Sequence, residues 1–217
     1  MRRLWLALLV MLLAGGALNS WNHRAVAQSP GVTAPDAPLQ VDVNDGATLQ
    51  SGDFVLRTRA RFELTARVLS RSDYSLDAGA SLSPTDLALG WGRMSDSAVL
   101  SKIEISQSGR FFRWHVKSFP IPRQEMESSA GNMHLIPANA SVLAAIKQVR
   151  AGQIVHLQGF LVDARRDDGW HWNTSMTRED TGAGACELIY VERLTGAARQ
   201  AEVAVAPAES VGEPRKT

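Results

Sequence analysis

Between Arg61 and Val68 the chain alternates strictly: Phe62, Leu64, Ala66 and Val68 are apolar, and Arg61, Glu63, Thr65 and Arg67 between them are polar. A period of two belongs to a strand with one dry face and one wet face, and a helix cannot satisfy it. The same signature recurs downstream. Ile103 and Ile105 alternate with Lys102 and Glu104. Gln107-Ser108-Gly109-Arg110 then marks a turn, and Phe112, Trp114 and Val116 alternate with Arg113, His115 and Lys117. That pattern predicts a β-hairpin. Ile154 to Val162 reads as one long strand with Gly159 in its middle, where a bulge or sharp bend is expected. Asp167-Asp168-Gly169 turns the chain into Trp170–Ser175, and Leu188–Val191 is a last strand.

Two short helices are expected. Ser83 caps one, with Pro84 at its first position and Thr85 to Leu89 as its body. Asn139 caps the other, which runs through Ala144, Ile146, Val149 and Arg150 to a stop at Gly152. Residues 118–137 carry Pro120, Pro122 and Pro137 and read as a long irregular loop. The expected fold is mostly β, of the α+β kind: a small curved sheet or partly open OB-like β-barrel with one or two short helices.

The N-terminus sets the expected location. Met1-Arg2-Arg3 precedes an uninterrupted apolar run from Leu4 to Leu18, and Ala25-Val26-Ala27 supplies an A-x-A pattern. A run of 15 residues suits the core of a signal peptide, whereas a spanning helix needs about 20. The polar stretch Asn19–Arg24 favours instead a retained membrane anchor, with Trp21 at the outer interface. Either way the domain is expected outside the cytoplasm, in the periplasm or anchored to the inner membrane and facing it. The expected organisation is a signal peptide or anchor over 1–27, a linker over 28–49, a β-rich domain over 50–194 and a disordered tail over 195–217.

Charge narrows the partners. Setting Arg2, Arg3 and Arg24 aside from the 23 basic residues leaves 20, against 22 acidic ones. Such a domain has no electrostatic footprint for nucleic acid. Cys186 is the one cysteine, so no intrachain disulfide forms. The histidines, His23, His115, His134, His156 and His171, have no metal-binding spacing. No metal or other cofactor is expected.

Residues 170–187 are the densest in functional groups. Glycines at 182 and 184 lead into Cys186, an arrangement that can present backbone N–H groups beside a thiolate. A catalytic reading makes Cys186 the nucleophile, His134 or His171 the base and Asp180 the orienting acid. Against it, a lone cysteine opening a strand packs as a small hydrophobe, and no local cysteine-protease signature is present. Arg178 holding Asp180 would pin the loop without catalysis. Trp170 and Trp172 share one strand face, as core or as a stacking platform. Trp91, between Gly90 and Gly92, reads as a loop tryptophan available for binding. The non-catalytic reading is a module that binds a protein, peptide or envelope ligand through Trp91, Trp170, Arg178 and Asp180.

Three segments carry a resemblance: Ser83-Pro84-Thr85-Asp86-Leu87-Ala88-Leu89-Gly90-Trp91-Gly92-Arg93-Met94-Ser95-Asp96, Met133-His134-Leu135-Ile136-Pro137-Ala138, and Thr177-Arg178-Glu179-Asp180-Thr181-Gly182-Ala183-Gly184-Ala185-Cys186-Glu187. Over about residues 54 to 192 the chain resembles a family of uncharacterised proteobacterial proteins that are exported or membrane-anchored. The resemblance implies location and shape, and brings no catalytic residue with it.

Overall fold

A computed structural model describes residues 24–179 and 185–196 of the chain. Its strands are β1 (Leu39–Asp42), β2 (Thr48–Ser51), β3 (Phe54–Asp73), β4 (Thr85–Gly90), β5 (Glu104–Ser108), β6 (Phe111–His115), β7 (Ala130–Pro137), β8 (Ile154–Arg166), β9 (His171–Trp172) and β10 (Glu187–Gly196). Its helices are α1 (Ser97–Leu100), α2 (Arg123–Ser128) and α3 (Ala140–Lys147), with a 3₁₀ turn at Gly92–Ser95. The fold is mostly β, a strongly curved sheet with short helices.

The alternation that begins at Arg61 belongs to β3, which is long enough to pair in two directions. Residues 54–67 pair antiparallel with β8, and residues 67–73 pair antiparallel with β4. Register shifts between Thr58 and Ala60 and between Val68 and Ser70 supply the bends. From β4 the pairing passes to β7, β10 and β8, and so returns to β3. β7 and β10 run parallel; the other pairs of this circuit are antiparallel. Gly159 lets β10 pass close to β8, because a Cβ there would run into the Tyr190 carbonyl. The register of β10 slips at the same level, between Val191 and Arg193.

Inside the circuit lies the main core: Phe62, Leu64, Leu87, Leu89, Met133, Leu135, Leu157, Leu161, Ile189 and Val191, with their smaller neighbours. α3 adds Val142 and Ile146 to it. Asn139 caps α3 as expected, its Oδ1 accepting from the amides of Ser141 and Val142 at 3.0 Å. At the other end Arg71 donates to the carbonyls of Ile146, Lys147 and Val149. A second apolar cluster holds Phe54, Leu56, Leu82, Ile136, Val162 and Leu188. A third, around Met94, Ile103, Ile121 and Met126, is covered by Ile105, Trp114 and Val116 of the separate β5–β6 hairpin.

Several expectations need correction. Thr85–Leu89 is strand β4, not a helix: it pairs on both sides, and all of its residues are buried. A short apolar run fits a helix or a doubly buried strand equally, and tertiary pairing decided. Residues 118–137 are not one irregular loop, since they form α2 and β7, whose Asn132–Ile136 stretch is wholly buried. The segment 28–49 is no free linker. β1 and β2 add to β3, and Thr33 and Ala34 donate their amides to Ser95 Oγ. Backbone pairing offered by the long β3 edge outweighs the proline content of that stretch. The apolar run Leu4–Leu18 and the tail beyond Gly196 lie outside the described residues. Among the described residues no helix is long and apolar enough to cross a membrane.

Candidate ligand-binding face

β4 and β7 are buried on both sides, and their two sides differ in chemistry. Leu87, Leu89, Met133 and Leu135 point into the main core, while their alternate neighbours Asp86, Asn132 and His134 point out of it. Asp86 and His134 are direct cross-strand partners. His134 Nδ1 lies 2.9 Å from Asp86 Oδ1, with both side chains essentially inaccessible. The Trp172 ring covers His134 at a centroid distance of 4.4 Å. Behind it Trp170 meets Trp172 edge-on at 6.0 Å, and Phe54 meets Trp170 at 5.2 Å.

The β5–β6 hairpin closes over this face. Its two-residue loop is Gly109-Arg110, both at positive φ, 57° and 69°. From the tip, Arg110 Nη1 donates to Asp86 Oδ1 at 2.8 Å and to the Ser83 carbonyl at 2.9 Å. Its Nη2 reaches both oxygens of Asp77, at 2.9 and 3.0 Å. The guanidinium stacks 3.7 Å from the Tyr74 ring centroid and 5.5 Å from that of Trp172. The Arg110 amide donates to Tyr74 Oη at 3.1 Å. Burial, first among several influences, holds the Tyr74 phenol above its ordinary pKa, so it stays protonated at neutral pH.

One rung along, Asn132 joins the hairpin to the sheet. Its Oδ1 accepts from Gln107 at 2.6 Å, and its Nδ2 donates to the Arg110 carbonyl at 3.0 Å. Cys186 Sγ lies 3.9 Å from Asn132 Nδ2 and 3.9 Å from that carbonyl. Cys186 is half-buried and lines a cleft of about 360 Å³ with Phe112, Trp114, Met126, Glu127 and Asn132.

No protein-family model, curated protein or solved structure matches this chain. The site therefore rests on its own geometry.

The sequence-derived candidates are scattered. Trp91 is packed into the main core at 3% exposure, not displayed in an open loop. The two glycines beside it do not expose it; the chain turns there, and Trp91 N–H bonds the Ser129 carbonyl. Arg178 meets Glu187, a buried carboxylate of β10, at 2.8 Å and sits over the Phe62 ring, so its ion-pair partner is on a strand. Asp180 lies outside the described residues. Trp170 belongs to the aromatic edge of the face. His134 faces Asp86, while His171 is exposed with Nδ1 3.4 Å from the Gly169 carbonyl. Among the described residues, no group of three or more His, Cys, Asp and Glu side chains is placed to hold a metal ion. Sequence reasoning missed Tyr74, Asp77, Asp86 and Arg110. One local signal pointed to the last: an arginine in the second position of a tight hairpin loop, where glycine or asparagine is the favoured residue.

Proposed function

We propose that the chain is an exported, periplasm-facing binding module. It takes a protein or peptide segment of the envelope on the face built by β4, β7, the β3–β4 loop and the β8–β9 hairpin. The charged start and the apolar run Leu4–Leu18 support export, as does the family resemblance. The observation that carries the binding reading is the gathering of Tyr74, Asp77, Asp86, His134 and Trp172 on one outer face. A strand that needed only packing on that side would carry apolar residues there.

The finer architectural reading is an OB-like barrel of β3, β4, β7, β8 and β10. In OB-like barrels the second and third strands, with the loops after the first and fourth, form the usual ligand face. Here those parts are β4, β7, residues 74–84 and residues 167–179. This is a fold-level analogy, and it selects the same face that the chemistry selects. The carboxylates of Asp77 and Asp86 repel a phosphate backbone, which favours peptide over nucleic acid.

Amide-resolved NMR titration tests the reading, with acidic, neutral and basic peptides, an oligosaccharide and a single-stranded oligonucleotide. Saturable shifts at residues 74–86, 132–134 and 170–172 are expected with a peptide. Trp172→Ala is expected to weaken that binding roughly tenfold, as loss of a hot-spot aromatic does. Shifts that fall elsewhere, or that appear only with the oligonucleotide, would overturn it. For location, protease added to spheroplasts should degrade the domain, and full protection would refute export.

A further inference from the structure

Arg110 is held as a ligand is held. Its guanidinium is bracketed by two carboxylates, a carbonyl and an aromatic face, while its own backbone sits at φ 69°. A side chain at that position disfavours the left-handed region that the tight loop demands, and glycine would relieve it. The base of the hairpin does not depend on Arg110, because Ile105, Trp114 and Val116 pack on the Met94–Met126 cluster.

The seat has structure of its own. Asp77 Oδ1 accepts from the Gly79 amide at 2.9 Å, which fixes the carboxylate. Gly79 has no side chain where Trp172 closes in, and a Cβ there would collide with the indole. His134 stands against Asp86 on the inner side. The seat also offers more than Arg110 takes. Asp86 Oδ2 and Ser83 Oγ are buried and have no hydrogen-bond partner among the described residues, and both residues are 0% exposed. Asp77 keeps 40% of its side-chain surface exposed, so the seat opens to solvent on that side.

We propose that this seat is a receptor for an arginine side chain of a partner segment, occupied in the free protein by Arg110 as a built-in competitor. The inference rests on the binding face proposed above and names the chemistry it selects. A guanidinium fits because one terminal nitrogen meets both Asp77 oxygens and the other meets Asp86 and the Ser83 carbonyl, while its plane lies on Tyr74. An incoming arginine displaces the hairpin tip, relieves the left-handed backbone at Arg110 and uncovers Asn132 and Cys186, which the tip now touches.

The test uses the full chain in detergent micelles, with N-acetyl-arginine methylamide as probe and its citrulline counterpart as the neutral isostere. In Arg110→Gly the loop is relaxed and the seat is vacant. The arginine probe should bind this variant at least tenfold more tightly than wild type, with shifts at Tyr74 and Trp172, and citrulline should not bind. Adding Asp77→Asn to that variant should weaken the probe roughly tenfold, as expected for loss of a charge-assisted hydrogen bond. In wild type, hydrogen exchange at residues 104–115 should rise saturably with the arginine probe alone, a readout that stands even if Arg110→Gly does not fold. Equal binding of citrulline, or wild-type exchange that ignores the arginine probe, would overturn the inference. If acidic or neutral peptides shift the face while the arginine probe does not, the receptor proposal fails and the binding face survives. If nothing shifts the face, the binding face itself fails.

Discussion

The two sides of β4 and β7 share a backbone and differ in almost everything else. Toward the interior, Leu87, Leu89, Met133 and Leu135 join one continuous apolar core. On the outer side Asp86, Asn132 and His134 are just as inaccessible, yet they are covered by the hairpin tip and Trp172 and held by ion pairs and hydrogen bonds that leave Asp86 Oδ2 unmet. The interior is held by apolar area removed from water, which is non-directional and tolerant of detail. The outer face is held by directional pairs whose loss leaves an uncompensated group. One side is built to stay shut, and the other depends on a few contacts at a hairpin tip.

That contrast can be broken by experiment. The largest effect is expected in the interior: Phe62→Ala, at a residue 0% exposed, should cost about 3–5 kcal/mol by chemical denaturation. A cost below about 1 kcal/mol would mean that the interior is not the main source of stability. Gly159→Ala forces β8 away from the Tyr190 carbonyl and should cost about 2–3 kcal/mol, since the obstacle is backbone. Arg110→Met should cost about 1–3 kcal/mol, because it leaves Asp86 buried beside His134 without its guanidinium. This loss should be local: exchange should rise at residues 104–115 while the pairing of β3 with β8 stays protected. The same variant should speed alkylation of Cys186 several-fold, since without the guanidinium tether the hairpin tip, and with it the backbone carbonyl of residue 110, lifts away from the thiol. An unchanged alkylation rate would show that the hairpin base alone keeps the cover in place.

The smallest effect concerns the segment ahead of β1. Asp96 accepts from the amides of Gly31 and Ala98, and those bonds hold its carboxyl below the ordinary aspartate value. A carboxyl lowered on folding contributes stability that is full above its unfolded pKa and is lost as pH falls through the folded one. Docking of Gly31–Ala34 should therefore loosen below about pH 4, near the unperturbed aspartate value. The amide signals of Gly31 and Ala98 should report this before the core changes. Simultaneous loss of core and segment would show that the two are one cooperative unit.

Reading the chain in one dimension served the elements whose signal is local. The alternation of Phe62–Val68 announced the long strand, Gly109-Arg110 the hairpin and Asn139 and Gly152 the last helix; Gly159 was expected to mark a bulge or bend, whereas it accommodates the Tyr190 carbonyl and the register slip beside it falls in β10. Four strands escaped, β1 and β2 because they lie in the stretch read as a linker. The Ser83-Pro84 start imitated a helix cap ahead of β4, and prolines on either side of β7 disguised it as loop. Trp91 was misjudged because its flanking glycines describe the turn, not where the indole goes. The candidate site was least legible of all. Tyr74, Asp77 and Asp86 lie 36, 33 and 24 positions from Arg110, and no spacing rule connects them.

The sequence by itself determined a mostly β chain, a hairpin with an arginine at an awkward turn position and a dry side to each alternating strand. These follow from pleat geometry and turn sterics, which act over a few residues. Only the tertiary structure decided that β3 pairs with both β4 and β8, that the proline-bearing stretch before it adds two strands, and that the hairpin tip lands on Asp86. Those outcomes depend on which backbone edges and which charges meet across the fold. Long-range pairing sets such meetings, and a charge buried by that pairing must find its partner wherever the fold brings one.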